Sequence, residues 1–253
     1  MARIMNYPGV VLLFTFVVLW VASWVGATFR RKREVLSAEE RDDLGMVLTA
    51  TLTLLGLIIG FTFSMAISRY DQRKNLEEEE ANAIGTEYVR ADLLPAANGE
   101  KVRELLKSYL EQRILFYKSR DAAELAQVKA RTAQMQAELW NAVKGPAETT
   151  PTPVAALLLS GMNDVLNSQG YTQAAWWNRI PIAAWVLMWV IAILCNLMIG
   201  YYVRPADRKW IRLVVMPLVV AVSFMLVADI DSPRGGVIRV KPLNLVSLQE
   251  GWK

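Results

Sequence analysis

The side chains that can do chemistry in this sequence fall into three groups. Asp229 and Asp231 form a DxD pair ahead of the turn-forming SPRGG. Carboxylates at that spacing ligate a hard cation through oxygen or, as the plainer alternative, pair with Arg234 or Arg239. Glu77–Glu80 is an unbroken acidic run. Such a run is ordinarily a solvated helix face; with several copies of the helix around an axis it becomes a ring of negative charge. Third, Gly45, Thr49, Thr53, Gly56, Gly60 and Ser64 recur at three- and four-residue spacing on an uncharged stretch. On a membrane helix these residues serve close packing, as in the Gly56-Gly60 pair, or line a polar path.

What is missing narrows the field further. The 253 residues include no His and a single Cys. Histidine acid–base chemistry, zinc sites and intramolecular disulfides are thereby excluded. Cys195 sits in an apolar run and reads as a small core hydrophobe. No GxSxG, Walker, GxGxxG or HExxH pattern occurs, so the chain reads as non-enzymatic, with no cofactor or metal.

The elements that carry these residues separate cleanly by polarity. Hydrophobic residues make up 54% of the chain and charged ones 21%, which implies greasy and polar stretches kept apart. Four apolar runs are long enough to cross a bilayer: Ile4–Phe29, Leu44–Ser68, Ile180–Val203, and Leu213–Ala228 with Trp210 and Ile211 before it. Trp176, Trp177, Tyr201 and Tyr202 flank the third as aromatic belts. The first run is too long for a cleaved signal and is followed by RRKR (Arg30–Arg33), so it reads as a retained helix. Residues 69–178 carry 13 Lys/Arg against 15 Asp/Glu, and the rest carry 15 against 9. The basic excess thus flanks the spans, where it meets lipid head groups and not nucleic acid.

The polar middle reads as a helical bundle. From Ser68 to Leu94 no proline interrupts, and Leu76, Ala81, Ile84, Tyr88, Ala91 and Leu94 form a stripe. The second span and this segment therefore read as one rod, Leu44 to Leu94. Pro95 ends it and Asn98-Gly99 reads as a turn. Amphipathic helices follow, one bearing Val102, Leu106, Tyr109 and Leu110, one bearing Val128, Met135, Leu139 and Val143. Gly145–Pro153 reads as a loop and Val154–Gln169 as a fourth helix. In the tail, Val237, Ile238 and Val240 suggest an extended segment.

GFTFSMAISRYDQRKNL (Gly60–Leu76), EEANAIGTEYVRADLLP (Glu79–Pro95) and the tail pattern DxDSPRGGxIRV resemble a bacterial membrane family described as bestrophin-like. A thinner likeness reaches the bestrophin anion channels, which share a plan of two helices, a helical domain and two more helices. They also share a Gly-Phe pair, here Gly60-Phe61, followed by Ser or Thr, Arg and an aromatic, here Ser68-Arg69-Tyr70. The resemblance implies a pentamer with the second helix lining a pore and an apolar neck at Thr53, Leu57 and Phe61, from which Thr53 departs. It also implies a calcium clasp made by a run of acids; only Asp229 and Asp231 stand there, so calcium control is not expected. Finally, it places the central domain in the cytoplasm, whereas the RRKR cluster leans towards a cytoplasmic first loop.

The expectation is an all-α membrane protein: two spans in 1–68, a soluble helical domain in 69–178, two spans in 179–229 and a tail in 230–253. It is expected in the bacterial inner membrane, as a homo-oligomer passing anions such as chloride along Thr49, Thr53, Leu57, Gly60, Phe61 and Ser64. Ser68, Arg69, Tyr70, Asp229, Asp231 and Arg234 carry the family motif. The alternative is a non-conducting scaffold or sensor whose helical domain binds a partner. A secondary transporter fits less well, because no span carries a charge.

Overall fold

The computed structural model describes residues 6–31, 37–149, 151–202 and 210–252. Ile4 and Val203, which bound the first and third apolar runs, and Lys32 and Arg33 of the RRKR cluster lie outside the described residues. The elements are α1 (Pro8–Arg31), α2 (Ala38–Arg90), a short 3-10 turn (Ala91–Leu93), α3 (Ala96–Lys118), α4 (Ala122–Thr149), α5 (Pro153–Trp177), α6 (Ile182–Tyr202), α7 (Trp210–Asp231) and α8 (Leu243–Glu250). Four stretches are long and apolar enough to cross a membrane: in α1, in α2, in the 153–202 region that contains α6, and in α7. The chain divides into two compact units, residues 1–69 with 179–239, and residues 70–178 with 240–253.

Helix α2 is the rod anticipated between residues 44 and 94, with an earlier start. Ser37 and Glu40 form a capping box that fixes its N-terminus: the Ser37 amide donates to Glu40 Oε2 at 2.8 Å and the Glu40 amide to Ser37 Oγ at 3.1 Å.

In the first unit α1 packs on α6 and α7. The closest approach is set by two glycines. A Cβ on Gly26 would overlap the Leu197 carbonyl oxygen, and one on Gly200 would overlap that of Ser23. Backbones this close exclude any side chain between them, which is the usual role of small residues in membrane packing. Beside that crossing Ser23 Oγ donates to Asn196 Oδ1 at 3.3 Å. Asn196 thus serves an interhelical contact, and its amide returns to the Ala192 carbonyl at 2.8 Å. Cys195 is buried next to it and unbonded to any other sulfur.

In the second unit the last part of α2, α3, α4, α5 and α8 share a core of Ile84, Val102, Leu106, Tyr109, Phe116, Met135, Leu139, Met162 and Leu245. Three local expectations change. Asn98 and Gly99 lie inside α3, because Gly99 lets the helix fold back on the 3-10 turn; a Cβ there would come to 2.5 Å from the Ala91 carbonyl. Helix α4 continues through Gly145 and Pro146 to Thr149, where a loop is expected. The tail, expected to be extended, carries α8. Thr152 caps α5, accepting from the Ala155 amide at 3.1 Å, with Pro153 in the first helical position.

Candidate functional site

At about 100° per residue, Thr49, Thr53, Leu57, Gly60, Phe61 and Ser64 span about a third of the circumference of α2. All six are exposed in the chain. The residues that α2 buries in this unit, Leu55, Thr62 and Ala66, lie on the opposite side of the helix. Among the described residues the stripe therefore has no packed partner, and a Cβ on Gly56 or Gly60 would meet nothing within 4 Å. Close packing inside the chain uses Gly26 and Gly200 instead of this GxxxG pair.

The hydroxyls have a definite polarity. Thr49 Oγ1 donates to the Gly45 carbonyl at 2.8 Å and Thr53 Oγ1 to the Thr49 carbonyl at 2.9 Å. With each proton turned back to the helix, the outward surface of both groups is oxygen lone pairs.

Of the family-motif residues, Ser68, Arg69, Asp229, Asp231 and Arg234 lie in the first unit, and Tyr70 packs against the core of the second. Asp231 is 2% exposed and is held by Arg179 Nε at 3.2 Å, by the Ile180 amide at 3.2 Å and by Arg69 Nη1 at 3.8 Å. Arg179 also bonds Asn6. Asp229 accepts from the amides of Val237 and Ile238, both at 2.8 Å, and so closes the SPRGG turn on the end of α7. A Cβ on Gly235 would overlap the Asn6 carbonyl oxygen, which explains a glycine there. The Asp231 partners thus include Arg69 and Arg179, neither of which is in the tail. Both carboxylates are committed to internal donors and do not fit a calcium clasp. Among the described residues no group of three His, Cys, Asp or Glu converges as a metal site.

Sequence reasoning missed the polar interior of the second unit. Glu78 and Glu79 are exposed as expected, but Glu77 and Glu80 are buried. Glu80 pairs with Arg113 through Nε, with Nη2 at 3.4 Å, and accepts from Tyr117 and Thr172 hydroxyls at 3.2 Å each. Burial opposes the charge on Arg113, yet the Glu80 carboxylate beside it holds the guanidinium above its ordinary range. Burial pushes the Tyr117 hydroxyl up, and the Glu80 charge adds to it. Glu77 accepts from the Leu245 amide at 3.0 Å and Asn244 Nδ2 at 2.7 Å, capping α8. Its carboxyl is pushed up by burial, against the pull of those donors. Arg73 donates to the Ala175 and Asn178 carbonyls at 3.2 and 3.1 Å, closing the end of α5. The one sequence signal was spacing: Arg73, Glu77, Glu80, Ile84 and Glu87 sit three or four apart.

Among the described residues the regular structure is all helical, and four apolar helices with a packed polar helical unit define a multi-pass membrane protein. The family model described as Bestrophin-like domain matches residues 10–245, and the chain belongs to that family. A search of curated proteins finds no match. Among solved structures the chain is similar to a bacterial bestrophin homolog from Klebsiella pneumoniae, phased on zinc, at 15% identity and TM-score 0.63, covering 95% of this chain and 97% of that one. A point variant of the same homolog matches at 14% identity and TM-score 0.63, over 94% and 99% of the two chains. At these identities the likeness establishes the fold.

Proposed function

We propose that several copies of the chain assemble in the bacterial inner membrane around an axis lined by α2, forming an ion pore. Five copies is the number the family resemblance implies. In this reading the spans lie two before and two after the helical domain of residues 69–178, which faces the cytoplasm. The observation that carries it is the exposed stripe Thr49, Thr53, Leu57, Gly60, Phe61 and Ser64, opposite the packed side of the same helix. Leu57 and Phe61, 53% and 65% exposed, would form apolar rings that gate by dewetting. Purified protein in a planar bilayer carries a current that Phe61→Ala increases. A verified oligomer that stays silent would instead support a non-conducting scaffold or sensor.

The family resemblance implies chloride-like anions. A specific observation favours cations as the second reading: Thr49 and Thr53 turn lone pairs outward, and in the second unit α2 exposes Asp71, Asn75, Glu78 and Asn82 on one face. Copies of that face around an axis would make an acidic ring. The reversal potential across a salt gradient decides the sign.

A further inference from the structure

Three glutamates of α2 are buried in the second unit, and they differ in what satisfies them. Glu80 has Arg113, Tyr117 and Thr172; Glu77 has the Leu245 amide and Asn244. Glu87 is fully buried, and neither Oε1 nor Oε2 has a hydrogen-bond partner among the described residues. Its space is made by α5. A Cβ on Gly161 would overlap Glu87 Oε2 and Arg90 Nη1, so only glycine leaves the notch that receives the carboxyl.

The charged groups that face Glu87 are Arg90 on its own helix and Asp164 on α5. Arg90 Nη1 stands 3.7 Å from Oε2, beyond hydrogen-bond range, and its side chain is 27% exposed. Water therefore shares its charge, and Asp164 opposes it. An ionised carboxylate with only this loosely placed, partly solvated guanidinium beside it is expensive, whereas the neutral acid is not.

We propose that the notch formed by Glu87, Arg90 and Gly161 is a proton-binding site, in which Glu87 packs against Gly161 as the neutral acid and loosens the α2–α5 contact when it ionises. The inference is independent of the pore reading. Burial moves the Glu87 carboxyl from its ordinary range up to about 7, with Arg90 pulling the other way, so the site changes charge near neutral pH.

The test is infrared difference spectroscopy on the full chain in detergent, titrated from about pH 5 to about pH 9, a range that brackets the ordinary and the raised carboxyl. The expected result is a protonated-carboxyl C=O band that fades with a midpoint at about 7 and is absent from Glu87→Gln. Arg90→Gln should move the midpoint to higher pH and Asp164→Asn to lower pH, shifts that a merely structural glutamate would not show. A band that persists unchanged in Glu87→Gln, or a midpoint in the ordinary carboxylate range, overturns the proposal. If Glu87→Gln does not fold, the two neighbouring variants decide, and unmoved midpoints overturn it. No current is measured, so a silent pore leaves the result untouched.

Discussion

Between Ala38 and Arg69, α2 buries Leu55, Thr62 and Ala66; from Tyr70 to Arg90 it buries Arg73, Glu77, Glu80, Ala81, Ile84 and Glu87. The spacing is the same heptad-like one in both stretches, yet the chemistry is inverted. In the first stretch the packed side is uncharged, and Thr49, Thr53, Phe61 and Ser64 are exposed. In the second, the packed side carries the charge. A buried charge is tolerable only where partners are supplied, and here α3, α5 and α8 supply them for Glu80, Arg73 and Glu77. An exposed stripe of uncharged residues, in contrast, is satisfied by further copies of the chain or, at its apolar positions, by lipid.

The largest effect should come from breaking the charged side. Arg113→Ala leaves Glu80 buried without its main partner and should cost about 3–5 kcal/mol, read as a fall in the denaturation midpoint of the second unit. An unchanged midpoint would mean that the pair is not buried in solution.

Next comes pH. In the folded chain Glu87 holds its proton up to about 7, whereas unfolded it releases it near 4.5. More protons are bound folded than unfolded between those values, so its contribution is full below about pH 4.5 and is lost as pH rises to about 7. The loss is on the order of 3 kcal/mol. Melting temperature against pH should fall across that window in the native chain and stay flatter in Glu87→Gln.

The first unit offers a smaller contrast between two kinds of glycine. Gly200→Ala forces a methyl group against the Ser23 carbonyl oxygen and should destabilise by about 1–3 kcal/mol. Gly60→Ala meets nothing within the chain and should stabilise α2 by about 0.5–1 kcal/mol in the isolated chain. If copies do pack or conduct along that face, the same change alters oligomer mass or current. Identical melting shifts for the two variants would contradict the difference in packing. The smallest effect belongs to the cap: Ser37→Ala should cost about 1 kcal/mol by fraying the start of α2, seen as faster amide exchange there.

Several features needed no tertiary information. Bilayer crossing depends on some 20 consecutive apolar residues, a local property, so the four apolar helices were legible. The unbroken α2 followed from the absence of proline before Pro95, and the azimuth of Thr49, Thr53 and Ser64 from helical period alone. Period fixes which residues share a side of a helix; it does not say what that side meets. Glu77 and Glu78 are adjacent and identical in type, yet one caps α8, 168 residues away, and the other faces solvent. The Glu80–Arg113 pair, the Gly26–Gly200 crossing and the Arg69–Asp231 contact likewise join positions far apart in the chain. Such pairings are decided by how the helices pack, because a side chain's burial and partners are properties of the neighbours that folding brings to it.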